Sequence, residues 1–259
     1  MSDSPSPEFM RQVAAAAAAE TLPRYRQNGA VTNKLSGGFD PVTEADRSAE
    51  QAIRRLIREH FPDHGIVGEE FGTEKGDSRH LWIIDPIDGT RAFISGLPLW
   101  GTLVGLTIDG DAVAGLMSQP FTGELYYADK NGAYYEGPGQ PRRLATRHTT
   151  SLGDATLCTT TPSLFDGKRR ALYDRVEQAV RLPRYGTDCY GYAMVAAGHV
   201  DLVIESGLQA YDIVALIPII EQAGGVVTTW AGEPAEAGGD IVAAATPELH
   251  AQALEFLRG

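Results

Sequence analysis

The sequence predicts a layered α/β or α+β fold, on three observations. The first part of the chain carries two stretches of helical periodicity. The middle is a series of short β runs joined by hairpin turns, and the second half alternates helices with strands. At 259 residues the chain can bury a large core, as one large domain or two intimately packed halves. We read residues 1–259 as a single unit, with an α+β half over about 1–150 and an α/β half over about 151–259.

The elements follow in order. Residues 6–26 read as a helix with an apolar stripe through Phe9, Val13 and Leu22. Its alanine run, Ala14 to Ala19, has Asp3 and Glu8 upstream and Glu20 directly after it. A helix is therefore a better reading than a signal peptide, which wants a basic start. A polar loop is expected over 28–40. Thr43 looks like the N-cap of a second helix running through Ala52, Ile53, Leu56 and Ile57, with Pro62 and Asp63 as its stop. Residues 65–68 form a short strand ahead of Glu69 and Glu70, and 72–79 a charged loop. The run from Trp82 is a buried strand, and Gly89-Thr90 a tight turn into a helix. Short β runs follow at 102–108, 112–118, 124–128 and 133–135. Asp109-Gly110 and Asn131-Gly132 are hairpin signals between them, so this part should be largely antiparallel. Beyond it come a strand at 155–159, helices at 167–180 and 190–197, and a strand at 201–204. A helix at 211–223, kinked by Pro218, ends at Gly224-Gly225. Strands at 226–229 and 241–244 and a helix at 247–257 complete the order.

Composition narrows the function. A formal charge of −12 argues against non-specific nucleic-acid binding and against an anionic membrane surface. It does not exclude a phosphate ester, because bound divalent ions invert the local field. Cys158 and Cys189 lie far apart without metal-ligand spacing, so a disulfide framework is not expected and a reducing, cytoplasmic setting is. No segment approaches the length of a membrane span.

The most informative stretch is Trp82-Ile83-Ile84-Asp85-Pro86-Ile87-Asp88-Gly89-Thr90. Pro86 fixes one backbone angle and removes a donor, so the segment between the aspartates should be stiff and bent. Two anionic side chains held close together call for a cation. Hard oxygen ligands on a rigid turn suit Mg²⁺, and the amides at the following helix start suit a phosphate. The alternative is that Asp85 and Asp88 merely cap a helix. Asp46, Glu69 and Asp212 also stand at element ends, where each alone could serve only to complement a helix dipole.

Taken together, Asp40-Pro41-Val42-Thr43-Glu44-Ala45-Asp46, Gly68-Glu69-Glu70, the Asp85 to Thr90 run and Tyr211-Asp212 with the Gly224-Gly225 turn form a pattern over nearly the whole chain. In that order it resembles the inositol monophosphatase family of Mg²⁺-dependent, lithium-sensitive phosphatases. The resemblance implies an α-β-α-β-α sandwich of the inositol monophosphatase and fructose-1,6-bisphosphatase type. It implies that Glu69, Asp85 and the carbonyl of Ile87 ligate one Mg²⁺, that Asp85, Asp88 and Asp212 ligate a second, and that a weaker third ion sits near Glu69. Mn²⁺ is a possible substitute, and Li⁺ and Ca²⁺ are expected inhibitors. Thr90 and Asp46 would orient the attacking water, with Glu69 beside them, and Asp88, Gly89 and Thr90 would bind the phosphate. A homodimer is implied as well. One departure is Tyr211, where many relatives carry Trp.

The chemistry is consistent with that inventory. A phosphomonoester dianion repels hydroxide, so metal ions must neutralise charge and activate water, and direct hydrolysis needs no Cys or His nucleophile. The details around Gly186-Thr187-Asp188-Cys189-Tyr190 resemble the histidinol-phosphate phosphatase branch of the family. Histidinol carries an ammonium and an imidazole, for which Asp188 and Glu205 are candidate partners. Asp188 has the alternative of capping the helix that follows it, and inositol enzymes of the family also use an acid at the Glu205 position. Arg91 either contacts substrate or pairs with a surface acid, and Tyr211 is a further candidate for the pocket. Trp100 reads as core, Cys189 as a small buried hydrophobe and His199 as a helix-end residue. The alternatives are an inositol-1-phosphate or broader sugar-phosphate phosphatase, or a regulatory protein retaining the fold.

Overall fold

The computed structural model describes residues 5–27, 31–33 and 41–258, so most of the loop expected over 28–40 lies outside the described residues. Helix α1 (Pro7–Thr21) starts where the Ser6 hydroxyl accepts the Phe9 N–H at 3.1 Å. It ends at Thr21 and not at Arg26, because Pro23 has no N–H for the helical ladder and Arg26 turns the chain at a φ of +59°. Strands β1 (Val31–Asn33) and β2 (Pro41–Thr43) pair antiparallel, so residues 31–33 of the expected loop are strand, a segment too short to show a period. Helix α2 (Glu44–His60) opens with a capping box. The Asp46 carboxylate accepts the Thr43 N–H at 2.8 Å, and the Thr43 hydroxyl accepts the Ala45 N–H at 3.1 Å.

An eight-stranded sheet follows, made of β3 (Gly65–Gly68), β4 (Gly72–Glu74), β5 (His80–Asp88), β6 (Gly101–Ile108), β7 (Asp111–Gln119), β8 (Glu124–Asp129), β9 (Gly132–Glu136) and β10 (Arg142–Arg143). Its order is β10-β9-β8-β7-β6-β5-β3-β4, all antiparallel except for β3 beside β5. The short helix α3 (Thr90–Ile94) leaves the end of β5. A second sheet, in the order β12-β11-β13-β15-β14, contains β11 (Thr156–Thr159), β12 (Leu182–Tyr185), β13 (Leu202–Leu208), β14 (Val226–Thr229) and β15 (Gly239–Ala244). The remaining helices are α4 (Gly167–Ala179), α5 (Asp188–Ala196), α6 (Ala210–Ile213), α7 (Leu216–Glu221) and α8 (Pro247–Leu257).

Packing arranges these elements in layers. Helices α1 and α2 cover one face of the large sheet through Phe9, Val13, Ile53, Trp82 and Leu106. Helices α5 and α7 fill the space between the sheets, where Leu103, Met117, Tyr192, Leu216 and Val203 meet. Helices α4 and α8 close the far side over Leu157, Tyr173, Val176 and Leu249. The result is the α-β-α-β-α sandwich that the resemblance implies. Each such fully buried side chain contributes about 1.5–3 kcal/mol. Among the described residues, no helix is long and apolar enough to cross a membrane.

Four further departures from the sequence reading have local causes. Part of the expected 72–79 loop is β4, which folds back on β3 because Gly72 takes a φ of +64°. The edge strands β10 and β12 are too short and polar to show an alternating pattern. Helix α5 begins at Asp188, ahead of Tyr190. The helix expected over 211–223 divides into α6 and α7, although Val214 and Ala215 keep helical angles. Pro218 withholds the N–H that the Val214 carbonyl would have accepted.

That break sits in a notch. Gly105 and Gly115 pair across β6 and β7, and a Cβ on Gly115 would lie 2.0 Å from the Ala215 carbonyl oxygen. The backbone at Val214 and Ala215 therefore rests directly on the large sheet, which fixes the height of Asp212 two residues earlier.

Candidate active site

The centre of the site is the end of β5. Its register against β6 shifts between Asp85 and Asp88, where Pro86 cannot donate to the ladder and Thr102 donates its hydroxyl to the Pro86 carbonyl at 2.8 Å. This bulge is the bend that the Asp-Pro-Ile-Asp spacing predicts. Asp85 accepts the Ile87 N–H at 3.0 Å, and the Thr90 hydroxyl donates to the Ile87 carbonyl at 3.0 Å. Gly89, at a φ of +77°, turns the chain into α3, and a Cβ there would meet Asp188 at 3.2 Å.

Three other elements converge on this bend. Asp88 accepts the Cys189 N–H from the first turn of α5 at 2.7 Å. Asp212 accepts the Gln209 N–H at 2.6 Å in the first turn of α6. Carboxylate oxygens of Asp85, Asp88 and Asp212 thereby lie within 4.8 Å of one another. Glu69 follows β3, whose parallel register sets Gly68 opposite Ile84, so it stands beside Asp85 within hydrogen-bonding reach.

Burial holds Asp85 and Asp88 well above the usual carboxylate range. Neighbouring charge adds to it, from Glu69, Asp88 and Asp212 on Asp85 and from Asp188 and Asp212 on Asp88. Burial also raises Asp46, against the two hydrogen bonds from Thr43. An oxygen-only donor set of this kind could hold a hard divalent cation, which would relieve the repulsion.

A cleft of about 330 Å³ opens beside the carboxylates. Of the residues singled out from sequence, Asp88, Gly89, Thr90, Arg91, Asp188, Glu205 and Asp212 line it. Asp46, Asp85 and Ile87 are almost wholly buried and, with Glu69, are not among its walls. Nor is Tyr211, which is half-buried beside Asp212. Glu205 is 2% exposed; its Oε1 accepts the Thr160 N–H at 2.6 Å, while its Oε2 has no hydrogen-bond partner among the described residues. Burial pushes this carboxyl up to about 8. Asp188, at a φ of +44°, is pushed up to about 6 by burial, against the opposing pull of the Arg91 guanidinium and of Thr160. It stands inside the first turn of α5, and the carboxylate that accepts the next amide of that turn is Asp88.

Thr160, Tyr192, Ser206 and Leu208 also line the cleft and were not singled out from sequence. No local sequence signal marks Thr160 and Ser206: the parallel pairing of β11 with β13 brings them together, and sites in such sheets form beyond the carboxyl ends of the strands. Trp100 is fully buried against Phe93 and Tyr25 as a packing residue, and Cys189 is buried at the base of the cleft it helps to line, its thiol raised well above the usual range by that burial.

The chain matches the inositol monophosphatase family over residues 5–258. It is 41% identical to the bifunctional phosphatase IMPL2 of Arabidopsis thaliana, over 85% of this chain and 66% of that protein's length. It is 38% identical to a histidinol-phosphatase of Chlorobaculum parvum, over 74% of this chain and 73% of that one. An inositol monophosphatase structure from Zymomonas mobilis superposes with a TM-score of 0.85 at 37% identity, covering 97% of each chain.

Proposed function

The chain belongs to the inositol monophosphatase family and is thus a phosphomonoester hydrolase, and we propose that it uses Mg²⁺ to convert L-histidinol phosphate to L-histidinol and phosphate. The donor set fits such an ion, with three carboxylates within 4.8 Å whose joint ionisation is costly without a cation. In this reading Glu69, Asp85 and the Ile87 carbonyl would hold one ion, Asp85, Asp88 and Asp212 would hold a second, and a weaker third would lie near Glu69. Mg²⁺ there supplies charge neutralisation and a lower pKa for water. The chain supplies the rest. Amides at Gly89 and Thr90, beside Asp88, donate to the phosphoryl oxygens. Asp46 and Thr90 orient the attacking water. The buried Asp46 Oδ1, which has no hydrogen-bond partner among the described residues, is the atom that accepts from it.

One observation supports the substrate choice: the cleft beside the metal carboxylates contains a buried acid, Glu205, with an unmet acceptor, and a second acid, Asp188. A buried carboxyl at about 8 gains most from a cationic partner, and histidinol brings an ammonium and an imidazole. Arg91 lines the same cleft and acts on Asp188, and Tyr211, next to Asp212 in the chain, is a further candidate for the substrate. The name of the Chlorobaculum relative supports this reading, and with it a role in histidine synthesis. The second reading, inositol 1-phosphate, is favoured by the name of the Zymomonas relative and by the ability of a protonated Glu205 to donate to a hydroxyl. We further infer a cytoplasmic homodimer in which both halves of the chain form one catalytic unit, and a monomer in sedimentation would contradict the dimer.

Phosphate release from L-histidinol phosphate and from inositol 1-phosphate, at equal concentration with Mg²⁺, separates the two substrates. The expected result is a preference of about a hundredfold for histidinol phosphate, or about 2.7 kcal/mol in the transition state. Equal or reversed rates would remove the histidinol assignment and leave the metal site standing.

A further inference from the structure

Behind Glu69 lies a buried ion pair that the reaction above does not use. Asp46, Glu50 and Arg54 follow one another at four-residue spacing along α2 and are 1%, 0% and 4% exposed, so one face of the helix buries a polar stripe. Both oxygens of Glu50 are engaged. Its Oε2 accepts the Glu70 N–H at 2.7 Å, and its Oε1 accepts the Phe71 N–H at 3.3 Å and the Arg54 Nε–H at 2.7 Å. Arg54 reaches onward, donating to the Gly72 carbonyl and to Glu74. The fit leaves no room for a side chain at Gly68, where a Cβ would lie 2.0 Å from Glu50 Oε1. The Glu50–Arg54 pair thus grips the turn over residues 68–72 by two amides and a carbonyl, and that turn presents Glu69 to Asp85.

We propose that Glu50, locked by Arg54, is a positioning residue that sets the Glu69 carboxylate for the divalent ion. The inference rests on the reading of Glu69 as a ligand. Of the side chains on this turn, Phe71 is exposed, whereas that of Glu70 is 3% exposed with its carboxylate 3.9 Å from the Arg47 guanidinium. The backbone of the turn is held by the charge-assisted hydrogen bonds from its amides to Glu50. Mg²⁺ tolerates little departure from octahedral geometry, so a loosened turn is read out as lost affinity. The pair also explains the Gly-Glu-Glu sequence: the glycine makes room for the carboxylate of Glu50, the first glutamate faces the site, and the second offers its amide.

The test is Mg²⁺ binding to the purified full chain by calorimetry, with the Mg²⁺ and substrate dependence of phosphate release measured alongside. Glu50→Gln is expected to weaken Mg²⁺ binding by about 10- to 100-fold. The substrate KM at saturating Mg²⁺ should stay within about twofold, because Glu50 touches no part of the cleft. Should Glu50→Gln fail to fold, the double variant Glu50→Gln/Arg54→Met leaves no unpaired buried charge and must show the same loss. A folded single or double variant that binds Mg²⁺ like the parent, while Glu69→Gln does not, overturns the positioning role. Undiminished binding in Glu69→Gln would instead overturn the ligand assignment beneath it, and the proposal would fall with it.

Discussion

At the scale of the residue, Glu205 illustrates how burial and function pull against each other. Its folded pKa, about 8, lies above that of an exposed carboxyl, so the folded chain keeps a proton that the unfolded chain gives up. Its favourable contribution is complete below the unfolded pKa and is lost as pH rises toward 8. Glu205→Gln should therefore stabilise the metal-free chain by on the order of 3–5 kcal/mol at pH 9 and by about 1 kcal/mol at pH 5. Thermal melts in chelator at the two pH values check this, and an equal gain at both would contradict it. The acids of the β5 bend could be recognised in the sequence because their signal is local: two aspartates, a proline and a Gly-Thr turn within nine residues. Thr160 and Ser206 offered no such signal. They come to the cleft from the ends of separate strands, and only the parallel pairing of β11 with β13 brings those ends together.

Among the elements, the paired glycines of β6 and β7 matter as much as any carboxylate. They let the backbone at Val214 and Ala215 sit on the sheet and so set where α6 presents Asp212. Gly115→Ala forces a methyl against the Ala215 carbonyl, and we predict a loss of about 1–3 kcal/mol in chemical denaturation. A variant as stable as the parent would show that the helix can lift without penalty. Helices and hairpins with strong periodicity or turn residues were legible in the sequence. What escaped were β1, β2, β4, β10 and β12, each of four residues or fewer, and the division of α6 from α7. Four residues are too few to display a period, and the sequence shows that Pro218 breaks a bond but not which face the break rests on.

For the whole molecule, the layering explains why the proposed ligands come from so many places. The strand β5 of the large sheet supplies Asp85 and Asp88, the turn after β3 supplies Glu69, and α6 in the middle layer supplies Asp212. The layered class was readable from the alternation of elements, whereas the five-layer order came from the family resemblance and is seen directly in the packing. Drawing these acids into one buried cluster costs stability that a bound cation should restore. The most direct measurement is therefore phosphate release by the wild-type chain and by Asp88→Asn, each with chelator and with Mg²⁺. Release is expected to be fast only from the wild type with Mg²⁺, slower by about a thousandfold in Asp88→Asn with Mg²⁺, and absent in chelator. Hydrolysis in chelator, or an Asp88→Asn variant as fast as the wild type, would contradict the metal-assisted site.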